Sequence, residues 1–311
     1  MVSIAGKVTN LIFRLMPPAS MDEEGFREER RRNAARKPPK KPKNVELEEI
    51  RINGLPAEHL TKKGNGRGTV FYIHGGGFTT GSARERRYIT QYLADRCGYD
   101  CVAVNYRLAP ENRWPAQPVD CLQAYREYLD MGYRAEDTVF MGESAGGTLV
   151  FSLAFLAREH GLPMPKAIVA FSPGTDNSSD LPSHTANIPT DYMLRDAVAR
   201  GITGPLFGGE ADAAQLADPL LSPVNGDFTG LPPVFLSASD TEVLYDDSVI
   251  LYEKLKAEGH PVELDVRHSV CHAFQVLTYM PEARKSIGKM LSFLDGIGKE
   301  NKQARDKGER T

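Results

Sequence analysis

Six short apolar runs constrain what this chain can fold into. Val70–Ile73, Cys101–Asn105, Val139–Met141, Ala167–Phe171, Val234–Ala238 and Val262–Val266 are rich in β-branched residues. Runs that are apolar throughout are what strands buried on both faces look like. Helical stretches lie between them: Arg87–Cys97, Val119–Asp130, Gly146–Glu159 and Asp246–Glu258. Several stop in the manner of a C-cap, at Gly98, Gly132, Gly161 and Gly259, the last two with Pro163 and Pro261 close behind. Alternation of this kind predicts an α/β fold, a mostly parallel sheet with helices on both faces. A chain of 311 residues accommodates one large α/β domain, or such a core plus a small cap.

Two segments break the rhythm. Between Asp176 and Asp227 there are helical pieces (Asp191–Gly201, Asp212–Ala217) and no clear strand. Residues 1–45 hold eleven Lys/Arg against five Asp/Glu, a net of +6, which leaves −9 on the rest of a chain whose total is −3. Met21–Lys37 reads as an exposed charged helix, acidic at its start and basic at its end as the helix dipole prefers. Lys37–Lys43 (KPPKKPK) reads as a stiff, solvated connector. An insertion above the sheet, paired with the N-terminal helices, accounts for both irregular segments. The expected division is residues 1–45 as N-terminal helices, 46–298 as the main domain with an insertion at about 176–217, and 299–311 as a polar, frayed tail.

Ile4, Val8, Leu11, Ile12 and Leu15 recur at helical spacing. The stretch is interrupted by Lys7 and Arg14, is too short to span a bilayer, and no small-residue cleavage site follows it. Its apolar face must cover something, either the core or a lipid surface; the core is the expected choice, because one short, moderately basic helix is a weak membrane anchor. Absence of targeting signals points to the cytoplasm. The modest net charge gives no electrostatic reason to expect nucleic acid or an anionic membrane as partner; no stable membrane insertion is expected, and homodimerisation stays open. Four cysteines (Cys97, Cys101, Cys121, Cys271) form neither a disulfide framework nor a zinc set.

Gly142-Glu143-Ser144-Ala145-Gly146 is a G-x-S-x-G sequence. At ordinary glycine and serine usage, chance supplies one in about one chain in ten, so its setting carries the argument. Thr138–Met141 before it reads as a strand and Thr148–Ala157 after it as a helix. That is the strand–elbow–helix arrangement in which a serine nucleophile sits on a strained turn with its oxygen exposed. His74-Gly75-Gly76-Gly77-Phe78 follows another apolar run. Successive glycines offer N–H donors to a tetrahedral oxyanion with no side chains in the way, each worth about 3 kcal/mol in a transition state. The candidate donors are the backbones of Gly76, Gly77 and Ala145, with His74 as a prop for the loop.

A general base should lie C-terminal to such a serine. His260 sits in a Gly-His-Pro turn before the last strand, whereas His268 and His272 follow that strand. His272 is the better candidate. The histidine pair has no helix or carboxylate partner that would suggest a metal, and Gly64-Asn-Gly-Arg-Gly precedes a strand rather than following one, so no metal or dinucleotide cofactor is expected.

HGGGF, then Tyr106-Arg107-Leu108-Ala109-Pro110-Glu111, then GESAGG, then Asp218-Pro219-Leu220-Leu221-Ser222-Pro223, in that order, resembles the hormone-sensitive lipase family of esterases. The resemblance covers roughly residues 45–295, while residues 1–45 and 176–215 match only in position, as the family's variable cap. It implies the α/β-hydrolase fold with a helical cap, no metal, and hydrolysis of small-molecule esters with short to medium acyl chains. The family's acid is usually an aspartate after the seventh strand; here Asp240 and Glu242 compete. Counted from Pro233 forward and from His272 backward, the family's position for the acid falls on Glu242 without a gap, so the resemblance implies Glu242 as the acid. Glu143 stands where Asp is common, and Cys271 precedes the histidine where Met or Leu is usual. Cys271 near the site would make the enzyme thiol-sensitive, although a packing role is the plainer reading. Phe78 and Tyr192 are candidate pocket walls.

The expected activity is a serine carboxylesterase. An amidase or peptidase with the same triad shares every motif. A ligand-binding receptor on the same scaffold, as some relatives of this family are, would lack His272. A membrane-surface lipase would need the first helix exposed and strongly apolar.

Overall fold

The apolar runs form the centre of an eight-stranded sheet in a computed structural model that describes residues 2–16, 22–194 and 204–308. Along the chain the elements are α1 (Ile4–Leu15), α2 (Glu23–Ala35), β1 (Glu46–Ile52), β2 (Leu55–Thr61), β3 (Thr69–Ile73), α3 (Arg87–Tyr92), β4 (Asp100–Val104), α4 (Ala116–Asp130), β5 (Thr138–Glu143) and α5 (Ala145–Glu159). There follow β6 (Ala167–Phe171), α6 (Pro182–Ala186), α7 (Gly204–Phe207), α8 (Ala213–Ala217), β7 (Val234–Ser239), α9 (Tyr245–Ala257), β8 (Val262–Arg267) and α10 (Pro281–Gly308). Strand order is β1-β2-β4-β3-β5-β6-β7-β8, parallel from β4 onward and antiparallel among β1, β2 and β4.

Every residue of β5, β6 and β7 is buried. Successive side chains serve opposite layers, as the two-residue period of a strand requires. Phe71 and Ile73 join Phe140 and the α4–α5 layer (Tyr125, Leu149, Phe151), while Val70 and Tyr72 join the opposite layer with α3 and α10 (Ile89, Ile287, Met290, Leu294). β8 is the edge strand, and it is not apolar throughout: in Val-Glu-Leu-Asp-Val the side chains of Val262 and Leu264 pack on the core, while Asp265 is buried from the other face and pairs with Arg267 and Lys289. The β1–β2 hairpin was not among the expected strands. Its turn, Asn53-Gly54, takes positive φ at both residues (49° and 72°), as a two-residue hairpin connection demands.

Several expectations need correction. α10 runs as helix through the polar stretch after Gly298 as far as Gly308. Of the helix expected over Asp191–Gly201, residues 192–194 form a turn and the part after Leu194 lies outside the described residues, as does Met21 of the stretch before α2. α2 is not merely a solvated helix. Phe26 is buried, Arg30 Nε donates to Thr79 O at 2.6 Å and Arg30 Nη1 pairs with Glu111 at 2.9 Å. Asn33 Nδ2 donates to Glu85 at 2.9 Å. α1 forms as expected, but its apolar face does not cover the core: Ile4, Val8, Leu11, Ile12 and Leu15 are all exposed, and Gly6 and Thr9 are the buried residues. Short polar side chains hold it down, so the buried side is set by hydrogen bonds rather than by the apolar stripe.

Candidate active site

The loops that follow β3, β5, β7 and β8 meet at the C-terminal edge of the parallel strands, where an open α/β sheet has its crevice. Ser144 lies between the last residue of β5 and the first of α5, with φ 55° and ψ −127°. A non-glycine residue there stores about 1–3 kcal/mol of strain. The surroundings hold it: Ser144 N–H donates to Phe171 O at 2.9 Å, and Thr148 N–H donates to Ser144 O at 3.1 Å. Gly146 shows why the motif needs glycine, since a Cβ there would strike the Ile73 carbonyl at the end of β3. The turn is thus pressed between two strand ends.

The His74–Gly77 loop lies alongside. Gly76 has φ 121°, and its carbonyl accepts the N–H groups of Thr79 and Thr80 at 3.1 and 2.9 Å. The N–H groups of Gly76 and Gly77 have no hydrogen-bond partner among the described residues. Ala145 opens α5, where an N–H has no carbonyl four residues earlier in the helix. Glu143 anchors this loop, a role the sequence reading did not assign. Its buried carboxylate accepts Gly75 N–H at 2.6 Å, the Tyr72 hydroxyl and Arg86 Nε. His74 stacks on Tyr106 with ring centroids 4.4 Å apart, and its Nδ1–H donates to Gly75 O at 2.9 Å. Burial pushes its pKa down to about 4, so it stays neutral as a prop.

Glu242 meets His272. Its Oε2 accepts Nδ1–H at 2.8 Å, its Oε1 accepts Ser239 N–H at 3.0 Å, and the side chain has no exposed surface. Asp240 goes elsewhere, to Nδ1 of the exposed His268 at 2.5 Å and Ser269 N–H at 3.0 Å. His260 is also distant from this pair, with Nε2 donating to Pro232 O at 3.0 Å. Burial by itself would lower the His272 pKa; the hydrogen bond and charge of Glu242 outweigh it and raise the pKa above its ordinary value. Burial pushes the Glu242 carboxyl up, and the His272 hydrogen bond pulls it part of the way back. Nε2 of His272 is buried without a partner among the described residues.

Asp191 is the second contributor that sequence reasoning missed. Buried beside this pair, it accepts Val243 N–H at 2.9 Å through Oδ2, and Met193 and Leu194 N–H at 3.0 Å through Oδ1. It ties the turn before the undescribed 195–203 stretch to the residue after Glu242. Backbone partners leave no side-chain pattern, so no sequence signal pointed to it.

Ser144 and His272 open onto one cavity of about 790 Å³, shared with Gly76, Gly77, Tyr192, Met193, Leu194, Leu244 and Leu277. Lys37, Pro38 and Pro39 also line it, so the start of the supposed solvated connector is part of the wall. Tyr192 lies where expected, whereas Phe78 does not. With φ 61°, the Phe78 backbone turns its ring into the core, edge-on to Trp114 at 5.8 Å. Cys271 packs with Val270, Phe274 and Met280, its thiol pushed up to about 12 by burial and by the charges of Glu242 and Asp191.

The sheet, the elbow and the loops at the strand ends are those of an α/β hydrolase. A family profile described as alpha/beta hydrolase fold matches residues 70–276. An acetyl-hydrolase of Streptomyces hygroscopicus is 32% identical over 227 residues, 73% of this chain and 75% of its own length. The crystal structure of EstE5 soaked with p-nitrophenyl butyrate superposes with a TM-score of 0.84 at 28% identity, covering 95% of this chain and 99% of EstE5. That of an esterase from the bacterial hormone-sensitive lipase family does so with a TM-score of 0.83 at 29% identity, over 94% of this chain and 98% of the other. The chain belongs to this α/β-hydrolase family, in its hormone-sensitive lipase branch, and is a carboxylic ester hydrolase.

Proposed function

We propose that the protein is a serine carboxylesterase acting on short to medium acyl chains through an acyl-enzyme on Ser144. The observation that carries this reading is that Ser144, on its strained turn, faces the same cavity as His272, whose Nδ1–H is held by Glu242 at 2.8 Å. With Nδ1 protonated, Nε2 is the basic atom. It takes the Ser144 hydroxyl proton as Oγ bonds to the ester carbonyl carbon, and Glu242 offsets the imidazolium charge. The N–H groups of Gly76, Gly77 and Ala145 receive the oxyanion. Collapse breaks the bond to the alcohol oxygen, which leaves with the proton from Nε2. Water then gives a proton to Nε2 as its oxygen bonds to the acyl carbon; the bond from that carbon to Oγ breaks, Oγ takes the proton back from Nε2, and the acid leaves.

The apolar side chains Met193, Leu194, Leu244, Val276 and Leu277 along the cavity support an acyl site, and the soaking of EstE5 in a butyrate ester is in keeping with it. α1, α2 and the described parts of the 176–217 segment form the cap of this reading, and four free thiols fit a reducing compartment such as the cytoplasm.

The test is p-nitrophenol release from p-nitrophenyl butyrate by the purified protein and by Ser144→Ala. Turnover falling about 10³-fold or more in the variant is the expected result. No turnover by folded wild type, or an undiminished rate in the variant, would overturn the reading.

A further inference from the structure

α1 is docked by its polar side and shows its apolar side to water. Thr9 Oγ1 and the Tyr279 hydroxyl are hydrogen-bonded at 3.0 Å, the Asn10 amide donates to Ser269 O at 3.0 Å, and Ser3 Oγ donates to Glu282 at 2.9 Å. At 100° per residue, Ile4, Val8, Leu11, Ile12 and Leu15 fall within about one third of the helix circumference, with Gly6 opposite and Thr9 to one side. All five are exposed, Ile4 by 82% and Leu15 by 74%. A contiguous apolar stripe of this kind on a helix that is already anchored marks a contact surface.

Three features select what it contacts. Lys7 and Arg14 are exposed on the same helix, which contains no acidic residue, and residues 1–45 carry a net of +6. Tyr279, bonded to α1, and Tyr88, whose carbonyl accepts the Thr278 hydroxyl at 3.2 Å, are each 48% exposed. Tyrosine, with an apolar ring and a polar tip, suits the level of lipid headgroups. Phe13 and Met16 of α1, together with Tyr88, line the cavity that holds Ser144 and His272. A second copy is disfavoured, because pairing two such stripes would bring Lys7 and Arg14 of both helices together with no acid on the helix to offset them.

We infer that α1 is an interfacial helix that lays Ile4, Val8, Leu11, Ile12 and Leu15 into the acyl boundary of an anionic lipid surface, with Lys7 and Arg14 at the headgroups. The Phe13–Met16 wall of the cavity is thereby set beside the lipid. The inference rests on the exposure and charge of α1 and is independent of the reaction assigned to the cavity.

The experiment is co-sedimentation of the full chain with vesicles of phosphatidylcholine alone and of phosphatidylcholine mixed with phosphatidylglycerol. Binding to the mixed vesicles is expected, weakened by salt and on phosphatidylcholine alone. Leu11→Gln/Leu15→Gln lowers it about tenfold or more, and Lys7→Gln/Arg14→Gln removes the preference for anionic lipid. Both leucines are exposed, so the first variant should melt within about 2 °C of wild type. Wild type left in the supernatant with both vesicle types, or equal sedimentation of wild type and the leucine variant, overturns the inference. So does a dimer by light scattering that becomes a monomer in the leucine variant, which would assign the stripe to a second copy.

Discussion

Replacing Glu242 by glutamine should disable the enzyme through the tautomer of His272, and the geometry says why. Ser239 N–H points at Glu242 Oε1 from 3.0 Å, and a donor there admits only the carbonyl oxygen of a glutamine. The amide NH2 is then forced toward His272 Nδ1, which Glu242 Oε2 now holds as a donor at 2.8 Å. Nδ1 must become the acceptor, so the ring proton moves to Nε2, the atom proposed to take the Ser144 proton. Wrong tautomer and lost charge together cost about 10³–10⁴-fold in kcat, roughly 4–5.5 kcal/mol of transition-state stabilisation. KM should change little, since Glu242 does not line the cavity. Asp240→Asn is the control. Its partner His268 is exposed, so the rate should stay within about threefold of wild type. The assay is initial rates on p-nitrophenyl butyrate across substrate concentration, with a thermal melt to show that each variant is folded. Glu242→Gln within about tenfold of wild type, or a loss in Asp240→Asn that exceeds it, would refute the reasoning.

Because Glu242 raises the His272 pKa, the acid limb of kcat/KM should have its midpoint above the ordinary imidazole value of about 6.5; a limb centred well below that in a pH–rate profile would contradict the pairing. His184 Nε2 lies 2.6 Å from buried Asp247, and this hydrogen bond raises the His184 pKa. A raised histidine pKa contributes stability that is full below the unfolded value and is lost as pH rises through the folded one. The melting deficit of His184→Gln should therefore be larger, by roughly 2 °C, at about pH 5.5 than at about pH 8.5. With its thiol pushed up to about 12, Cys271 should resist iodoacetamide near neutral pH, and esterase activity should survive treatment that alkylates exposed thiols.

The central strands were legible because burial on both faces demands a continuous apolar run, and β3 to β7 have one. β1 and β2 were harder: Glu46–Ile52 is half exposed, so its strand pattern competes with its charges, although Asn53-Gly54 is a strong hairpin signal. Glu242 was preferred to Asp240 through the resemblance, whose position for the acid falls there without a gap; in the structure β7 and β8 pair in parallel, Ser239 against Arg267, and Glu242 lies in the loop beyond. The same reasoning failed for Phe78. Adjacency to the glycine loop in sequence says nothing about direction once the backbone turns through φ 61°.

α1 exposes the general limit. Its period was readable, and so was its apolar stripe; the side it buries was not. Hydrophobic patterning identifies a face, and a separate set of contacts decides where that face points. In the sheet both agree, since an apolar run has nowhere to go but inward. On α1 they conflict: Ser3, Thr9 and Asn10 each find a polar partner on the body, while five aliphatic side chains find none. Glu143 and Asp191 lie at the same limit from the polar side, because the partners that fix them include the N–H groups of Gly75, Val243, Met193 and Leu194, groups that every residue except proline carries. A carboxylate that binds side chains can be sought by spacing, as Glu242 was. One that organises backbone becomes visible only when the loops have closed around it.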